Sequence, residues 1–327
     1  MSNKKKVVIL LATYRPNMVF FEKLLISLNQ QDYSNLELYV RDDSADKEWS
    51  IKIEEMVLTT ITKIPSYFEK NEINLGSNKT FEILTKDCLG DYLAYCDQDD
   101  IWEPYKISML VDEIENKDAE MCYSDLSIIN QDDVQTAVSF TKIKKRVVHK
   151  YGDNLFDYFL RRSSVTGCTM MVKISVAKKA IPFPSDFMVH DQWLTLFSAS
   201  VGKIAYVSKP LIRYRIYEGN QIGAAILPEI NSKQDYLQNR LLKELNKLVF
   251  LKKNYSFNYN HLQSINSNLL FLEKRIDFFK HSNLANITKM LVISKRDKNL
   301  IFFEIFIGIM PRKIVALLFD KLHKNKN

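Results

Sequence analysis

Asp91-Tyr92-Leu93-Ala94-Tyr95-Cys96-Asp97-Gln98-Asp99-Asp100 decides how this chain is read. Asp91–Cys96 has the character of a buried strand, and it runs directly into three carboxylates within four positions. Upstream, Lys6–Ala12 is an apolar run of strand length, the mark of a strand covered on both faces. Pro16 opens a helix-like segment to about Gln30, with Phe20, Leu24, Leu25 and Leu28 on one side. Leu36–Val40 is the next strand and ends at Arg41-Asp42-Asp43-Ser44. A helix over about Lys47–Leu58, a weak strand at Ser66–Glu69 and a helix over Gly76–Leu89 follow. Strand–helix alternation of this kind predicts an α/β fold with a parallel sheet and covering helices. Ligands of such sheets sit beyond the carboxyl ends of the strands. Three predicted strands end in polar residues, Thr13-Tyr14-Arg15, Asp42-Asp43 and Asp97–Asp100, and they are expected to converge on one rim.

Composition excludes several classes. Hydrophobic residues are 46% and charged residues 26% of 327, a globular balance, and eight Gly with eight Pro rule out collagen-like chains. Four cysteines, at 88, 96, 122 and 168, form no Cys-x-x-Cys pair, which suits a reducing compartment. The basic start Lys4-Lys5-Lys6 resembles that of a signal peptide, but Val7–Ala12 is too short for its apolar core, so a strand explains it better. No stretch of transmembrane length is present. The net charge of +7 is uneven: residues 229–327 carry 18 Lys and Arg against 8 Asp and Glu, and residues 1–228 carry 28 against 31. An acidic body with a basic tail suggests separate jobs. From about 105 to 228 the pattern turns α+β, with strands at Met121–Ser124 and Cys168–Val172. After Pro228 it is helical, with Leu237, Leu241, Leu245, Leu248 and Leu251 at helical spacing. The expected divisions are 1–105, 106–228 and 229–327.

The acidic stretch needs a positive partner at the mouth of a sheet, and a hard divalent cation is the natural one. A solvated acidic turn capping a helix near Glu103 is the plainer alternative. The flanks Tyr95–Lys106 closely resemble the metal-binding signature of family-2 glycosyltransferases with the GT-A fold, most of all its rhamnosyltransferase-like branch. Val8–Pro16 matches that family's first strand and nucleotide-contacting turn, Asp42-Asp43-Ser44 its base-recognition turn, and Asn74–Asn78 the segment opening the next helix. Val165–Cys168 matches an acceptor-side stretch, and His190-Asp191-Gln192-Trp193 the position of the catalytic base. The resemblance spans roughly residues 6–223. It implies a GT-A fold, a Rossmann-like nucleotide-binding sheet with an acceptor half, here followed by a C-terminal helical region.

By this resemblance Thr13, Tyr14 and Arg15 contact the nucleotide, Tyr14 stacks near the base, and Asp43 bonds its ring nitrogen with Asp42 as neighbour. Asn74 opens the helix of the same site, Lys79 meets the diphosphate or solvent, Asp97 binds ribose or metal, and Asp99 binds Mn²⁺ or Mg²⁺. Asp191 is the implied general base; the plainer reading makes it the N-cap of a helix Gln192–Ala199, a role it can hold as well. One base and one metal are the minimum set for inverting transfer, since the leaving group is a nucleoside diphosphate. Gly167, His190 and Trp193 are expected to shape the acceptor pocket, Trp193 against a sugar or in the core. By the same resemblance many relatives have a histidine where Tyr217 stands in Tyr214–Asn220, so Arg215 becomes the phosphate candidate.

The implied function is inverting transfer from dTDP-rhamnose or a UDP-sugar to a glycan or lipid-linked acceptor in surface polysaccharide synthesis. Two rivals remain. A sugar-nucleotide pyrophosphorylase requires a Gly-rich loop that Leu11–Pro16 lacks. A membrane-associated sugar-nucleotide-binding scaffold without turnover is opposed by Asp97, Asp99 and Asp191. In the tail, helices near 233–253 and 262–280 are expected to pack on each other or on a second copy of the chain. Asn299–Asn327 joins an apolar cluster, with Phe302, Phe303, Ile305 and Phe306, to Arg312, Lys313, Lys321, Lys324 and Lys326. That pattern suggests an interfacial helix pair on anionic lipid, and hence a cytoplasmic protein peripheral at the inner face of the cell membrane. Nucleic acid is not an expected partner, because no recognised module accompanies the basic tail.

Overall fold

The first apolar run forms β1, Val7–Thr13, in a computed structural model that describes residues 4–143, 148–217 and 230–324. β1 lies between β2, Leu36–Asp42, and β4, Tyr92–Cys96, and is parallel to both, while β3, Ser66–Lys70, extends the parallel set beyond β2. Val7–Leu11 are wholly buried because helices cover both faces. The sheet then changes sense. β4 meets β8, Met170–Lys173, antiparallel, and β8 meets β6, Met121–Ile129. β9, Ile204–Arg215, runs parallel to β6; the short β5, Ile101–Trp102, and β7, Gln135–Ala137, complete nine strands in the order β3-β2-β1-β4-β8-β6-β9-β5, with β7 on β6.

Eight helices accompany this sheet among the described residues: α1 Met18–Asn29, α2 Lys47–Thr60, α3 Ser77–Asp87, α4 Lys106–Lys117, α5 Phe140–Ile143, α6 Phe156–Arg161, α7 Ile174–Lys179 and α8 His190–Val201. Asn17 caps α1 by accepting from the Val19 and Phe20 amides, and Phe20, Phe21, Leu24, Leu25 and Leu28 face the core as the spacing predicts. The helix expected near Glu103 starts later, at Lys106, and its N-cap residue, Tyr105, makes no side-chain capping bond. Ile101–Trp102 is instead a strand against β9. The acidic stretch therefore caps no helix, and that alternative falls.

Contacts divide the chain into two compact units, Met1–Glu218 and Gly219–Asn327. Pro228, Glu218, Gly219, Asn220 and Lys326, all invoked from sequence, lie outside the described residues. In the second unit α9, Lys233–Asp235, continues through a π-helical stretch, Tyr236–Leu242, into α10, Lys243–Asn254. α11 Tyr259–Lys280, α12 Leu284–Ile293, α13 Lys298–Ile309 and α14 Arg312–Lys324 follow. Of the leucine series, Leu237, Leu241, Leu248 and Leu251 are buried and Leu245 is half-buried. Glu304 does not interrupt α13. It is fully buried and accepts from the Tyr236 hydroxyl at 2.7 Å and from Arg275 Nε at 2.8 Å. Phe302 and Phe306 are exposed, whereas Phe303 and Ile305 are half-buried. Among the described residues no helix is long and apolar enough to cross a membrane.

Candidate active site

Strand register brings the polar ends together. Thr13 pairs with Asp42 across β1 and β2, and Leu11 pairs with Cys96 across β1 and β4, so the three carboxyl ends share one rim. The chain leaves β1 through a tight turn in which Arg15 takes φ 42°, a left-handed conformation unusual for a side chain with Cβ. Ser44 Oγ holds the Arg15 amide at 3.0 Å. Tyr14 is half-exposed, with the Arg15 guanidinium 5.7 Å from its ring centre. Gln98 clamps the same turn: its amide accepts from the Tyr14 N–H at 2.7 Å and donates to the Tyr14 carbonyl at 3.1 Å. The acidic loop and the turn after β1 are thus fastened to each other.

The two aspartates after β2 divide their work. Asp42 is wholly buried and accepts from Thr13 Oγ1, the Ser44 amide and hydroxyl, and Ser50 Oγ. Its carboxylate is committed to the scaffold, which corrects its assignment to the nucleotide. Asp43 accepts from the Leu75 and Gly76 amides and from Asn71 Nδ2, each at 2.8 Å. Gly76 sits at φ 79°, a conformation that glycine adopts without strain, and this turn aims both amides at Asp43. Asn74 donates to the Asp43 carbonyl at 3.2 Å. Asp43 therefore fixes the entry to α3, and the predicted base contact remains to Oδ2, which carries a single donor. Lys79 is half-exposed and pairs with Glu82 one turn on.

Within the acidic loop Asp97 and Asp99 are half-buried and Asp100 is fully buried. Asp100 is fully buried; its Oδ1 accepts the Arg215 amide at 3.0 Å, and its Oδ2 has no hydrogen-bond partner. Carboxylate oxygens of Asp97 and Asp100 and the Cys168 thiol lie within 4.8 Å of one another. Burial, then the charges of Asp99 and Asp191, push the Asp97 carboxyl up to about 7. Burial raises Asp99 as well. Lys106 is the cation closest in kind: fully buried, it donates to the Cys168 carbonyl at 2.7 Å and lies over the Trp102 ring, and burial pushes it down to about 7. Three crowded carboxyls and an orphaned buried oxygen fit a hard divalent cation, whose ligands are oxygens. Cys168 is a poor ligand for such an ion, and burial keeps its sulfur a thiol.

Asp191 faces this loop from α8. It lies in the first turn rather than at the N-cap, which is Val189, and its Oδ1 accepts the Gln192 amide at 2.5 Å. Burial pushes its carboxyl up to about 6. His190 packs on Phe81 and Tyr95, its Nε2 has no partner, and burial pushes it down to about 3, so it stays neutral. Gly167 is needed for close approach: a Cβ there would lie 2.7 Å from His190 Nε2 and 3.5 Å from Asp191 Cβ. Of the two readings of Trp193 the core one holds: it is wholly buried and donates its indole N–H to the Ala180 carbonyl at 2.8 Å. The phosphate role expected of Arg215 is corrected. Arg215 is also wholly buried, pairs with Asp133 and donates to the Asp99 and Asn130 carbonyls. It braces the acidic loop and is not placed to meet phosphate. Gln98, Lys106, Cys168 and Asn78, which holds the His190 amide at 2.7 Å, were missed from sequence. Gln98 and Lys106 lay inside the quoted signature, the only signal that pointed to them.

Residues 13–178 match the sequence profile of glycosyl transferase family 2, and the chain belongs to that family. It is 29% identical over 229 residues to the dTDP-rhamnosyl transferase RfbG of Shigella flexneri, covering 66% of this chain and 74% of that one. An uncharacterised glycosyltransferase of Rickettsia typhi is 26% identical over 235 residues, 70% of this chain and 69% of its own. The crystal structure of Staphylococcus aureus TarS 1–349 in complex with UDP-GlcNAc superposes with TM-score 0.60 at 16% identity, over 97% of this chain and 92% of that one. Against a longer TarS chain the TM-score is 0.54 at 18% identity, and this chain spans 43% of it. The architecture is GT-A, and the activity is sugar transfer.

Proposed function

We propose that this chain is an inverting glycosyltransferase that takes a sugar from a nucleotide-sugar, dTDP-rhamnose first and a UDP-sugar second, to a glycan or lipid-linked acceptor of a surface polysaccharide. The observation that carries this reading is a half-buried carboxylate, Asp191, whose charge acts on Asp97 of the crowded Asp97–Asp100 loop at the strand-end rim. Asp191 removes the proton from the acceptor hydroxyl as that oxygen attacks the anomeric carbon and the bond to the diphosphate breaks, inverting the centre. Asp97 and Asp99 would hold Mn²⁺ or Mg²⁺, which would supply positive charge against the departing diphosphate. Tyr14, Asp43 and the turn at Thr13–Arg15 receive the nucleotide, Gly167 and His190 bound the acceptor side, and Lys79 is free to swing from Glu82 to phosphate. RfbG supports the rhamnosyl donor, and the TarS complex supports a nucleotide-sugar in general.

Donor hydrolysis over a panel of sugar nucleotides, with and without Mn²⁺, tests this. One donor is expected to be cleaved in a metal-dependent way. Asp99→Ala is expected to abolish metal-enhanced binding of the nucleoside diphosphate in calorimetry while the melting temperature holds. Equal affinity in variant and wild type, each measured with Mn²⁺, would remove the metal role.

The same reading places the enzyme at the inner face of the membrane through its basic helical unit. Phe302 and Phe306 are exposed on α13, with Lys298 before them and Arg312 and Lys313 after. Each Phe that inserts contributes about 2 kcal/mol, and each nearby Lys or Arg about 1 kcal/mol. Because α13 also supplies buried Ile301, Glu304 and Ile307, truncation would expose a core, so exposed-site variants are the cleaner probe. Phe302→Ser with Phe306→Ser is expected to weaken binding to anionic liposomes at least tenfold, with donor hydrolysis unchanged. Unaltered liposome binding together with a changed oligomeric state would make this face a contact between copies.

A further inference from the structure

We propose that Tyr217 is a positioning residue for the cation site, holding Asp99 by one oxygen and so setting how tightly the acidic loop binds its metal. The Tyr217 hydroxyl donates to Asp99 Oδ2 at 3.0 Å. Two residues earlier, Arg215 donates its amide to Asp100 Oδ1 at 3.0 Å and its Nε to the Asp99 carbonyl at 2.9 Å. The end of β9 and the residues just after it therefore grip two consecutive aspartates at three points. The grip is itself anchored. The Tyr217 ring meets Phe20 edge-on at 5.1 Å, and the Arg215 guanidinium lies 4.2 Å from that same Phe20 ring. Phe20 belongs to α1 and is buried, so the tyrosine is aimed by packing that does not depend on a ligand. With a phenol at 217, Asp97 and Asp99 would offer a cation carboxylate oxygens, a set that accepts Mg²⁺ and Mn²⁺ alike, whereas an imidazole there would add a nitrogen that favours Mn²⁺.

This inference rests on the metal-assisted reading above, and the experiment separates the two. Mn²⁺ affinity is measured by electron paramagnetic resonance on the full chain with nucleoside diphosphate present, beside melting temperature, for wild type, Tyr217→Phe and Tyr217→His. Tyr217→Phe is expected to weaken Mn²⁺ binding by about tenfold, the usual cost of losing a partner behind a metal ligand. Tyr217→His is expected to bind Mn²⁺ at least as tightly as wild type and to prefer it over Mg²⁺ more strongly. Wild-type affinity in Tyr217→Phe overturns the proposal. So does equal loss in both variants, which would make Tyr217 a packing partner of Phe20 only. Absence of Mn²⁺ binding by wild type overturns the metal reading itself, and this inference with it.

Discussion

Asp191→Asn is expected to lower sugar transfer by about 10²–10⁴-fold, the worth of a well-placed general base. The amide keeps the size of the carboxylate and can still accept the Gln192 N–H, but it cannot accept the acceptor's proton. Donor affinity is expected to hold within about twofold, because in the proposed mechanism the base serves the acceptor and not the phosphates. The pH dependence gives an independent check. Burial disfavours the charged form, so the carboxyl sits at about 6 instead of its ordinary value, and only the deprotonated form acts as a base. In wild type, kcat/KM is then expected to fall about tenfold per unit below pH 6 and to level off above about pH 7. Residual activity of Asp191→Asn is expected to lack that limb. A variant that keeps both the rate and the acid limb would show that another group takes the proton.

The parallel half of the sheet was legible because its evidence is local. Each strand there is a short apolar run closed by polar residues, and the helices between carry one-sided leucine and phenylalanine patterns. β6 was read only as Met121–Ser124, yet it extends to Ile129. Asp125 and Ser127 interrupt the apolar run, yet both are buried: Asp125 Oδ1 accepts the Leu126 amide at 2.8 Å and the distant Phe140 amide at 3.4 Å, and Ser127 Oγ donates to the Ile212 carbonyl at 3.2 Å. β5 has two residues, too few for any period to appear. α8 starts one residue before Asp191 because Asn78, more than a hundred positions away, accepts the His190 amide.

The site divides in the same way. Asp97 and Asp99 stand at a strand end and Asp191 in a motif, which is all that the sequence shows of them, whereas the surroundings of Asp42 and Arg215 are not written beside them, and only the fold decides that Trp193 takes its core alternative. Asp42 becomes scaffold through Ser44, Ser50 and Thr13, of which the last lies on another strand. Arg215 is drawn inward by Asp133, which also pairs with Lys23 of α1, so its charge is consumed by loops far away in sequence. A charged residue near a motif reads as a ligand contact until the fold shows which carboxylate it meets first.

In the helical unit, the residue that looked like an interruption of an apolar run is expected to carry the largest stability effect. Glu304→Ala removes the only anion that the described residues place against Arg275, and it strands the Tyr236 hydroxyl. Both partners are deeply buried, at 8% exposure for Arg275 and 0% for Glu304. Breaking such a pair costs about 3–5 kcal/mol, because the surviving charge stays buried without compensation. Against a typical domain stability of about 5–15 kcal/mol, the helical unit should become marginal at body temperature. Two compact units need not melt together, so calorimetry of the full chain is expected to show one transition moved down by many degrees and the other retained. Replacing the pair jointly, as Arg275→Met with Glu304→Leu, is expected to recover most of the loss, since apolar groups of similar volume carry no desolvation penalty. If the double variant is as unstable as Glu304→Ala, the cost lies in the Tyr236 bond and local packing and not in the unpaired guanidinium. If Glu304→Ala melts like wild type, Glu304 does not hold the bundle at all, and its burial would have to be explained by an occupant that reaches it from outside the unit.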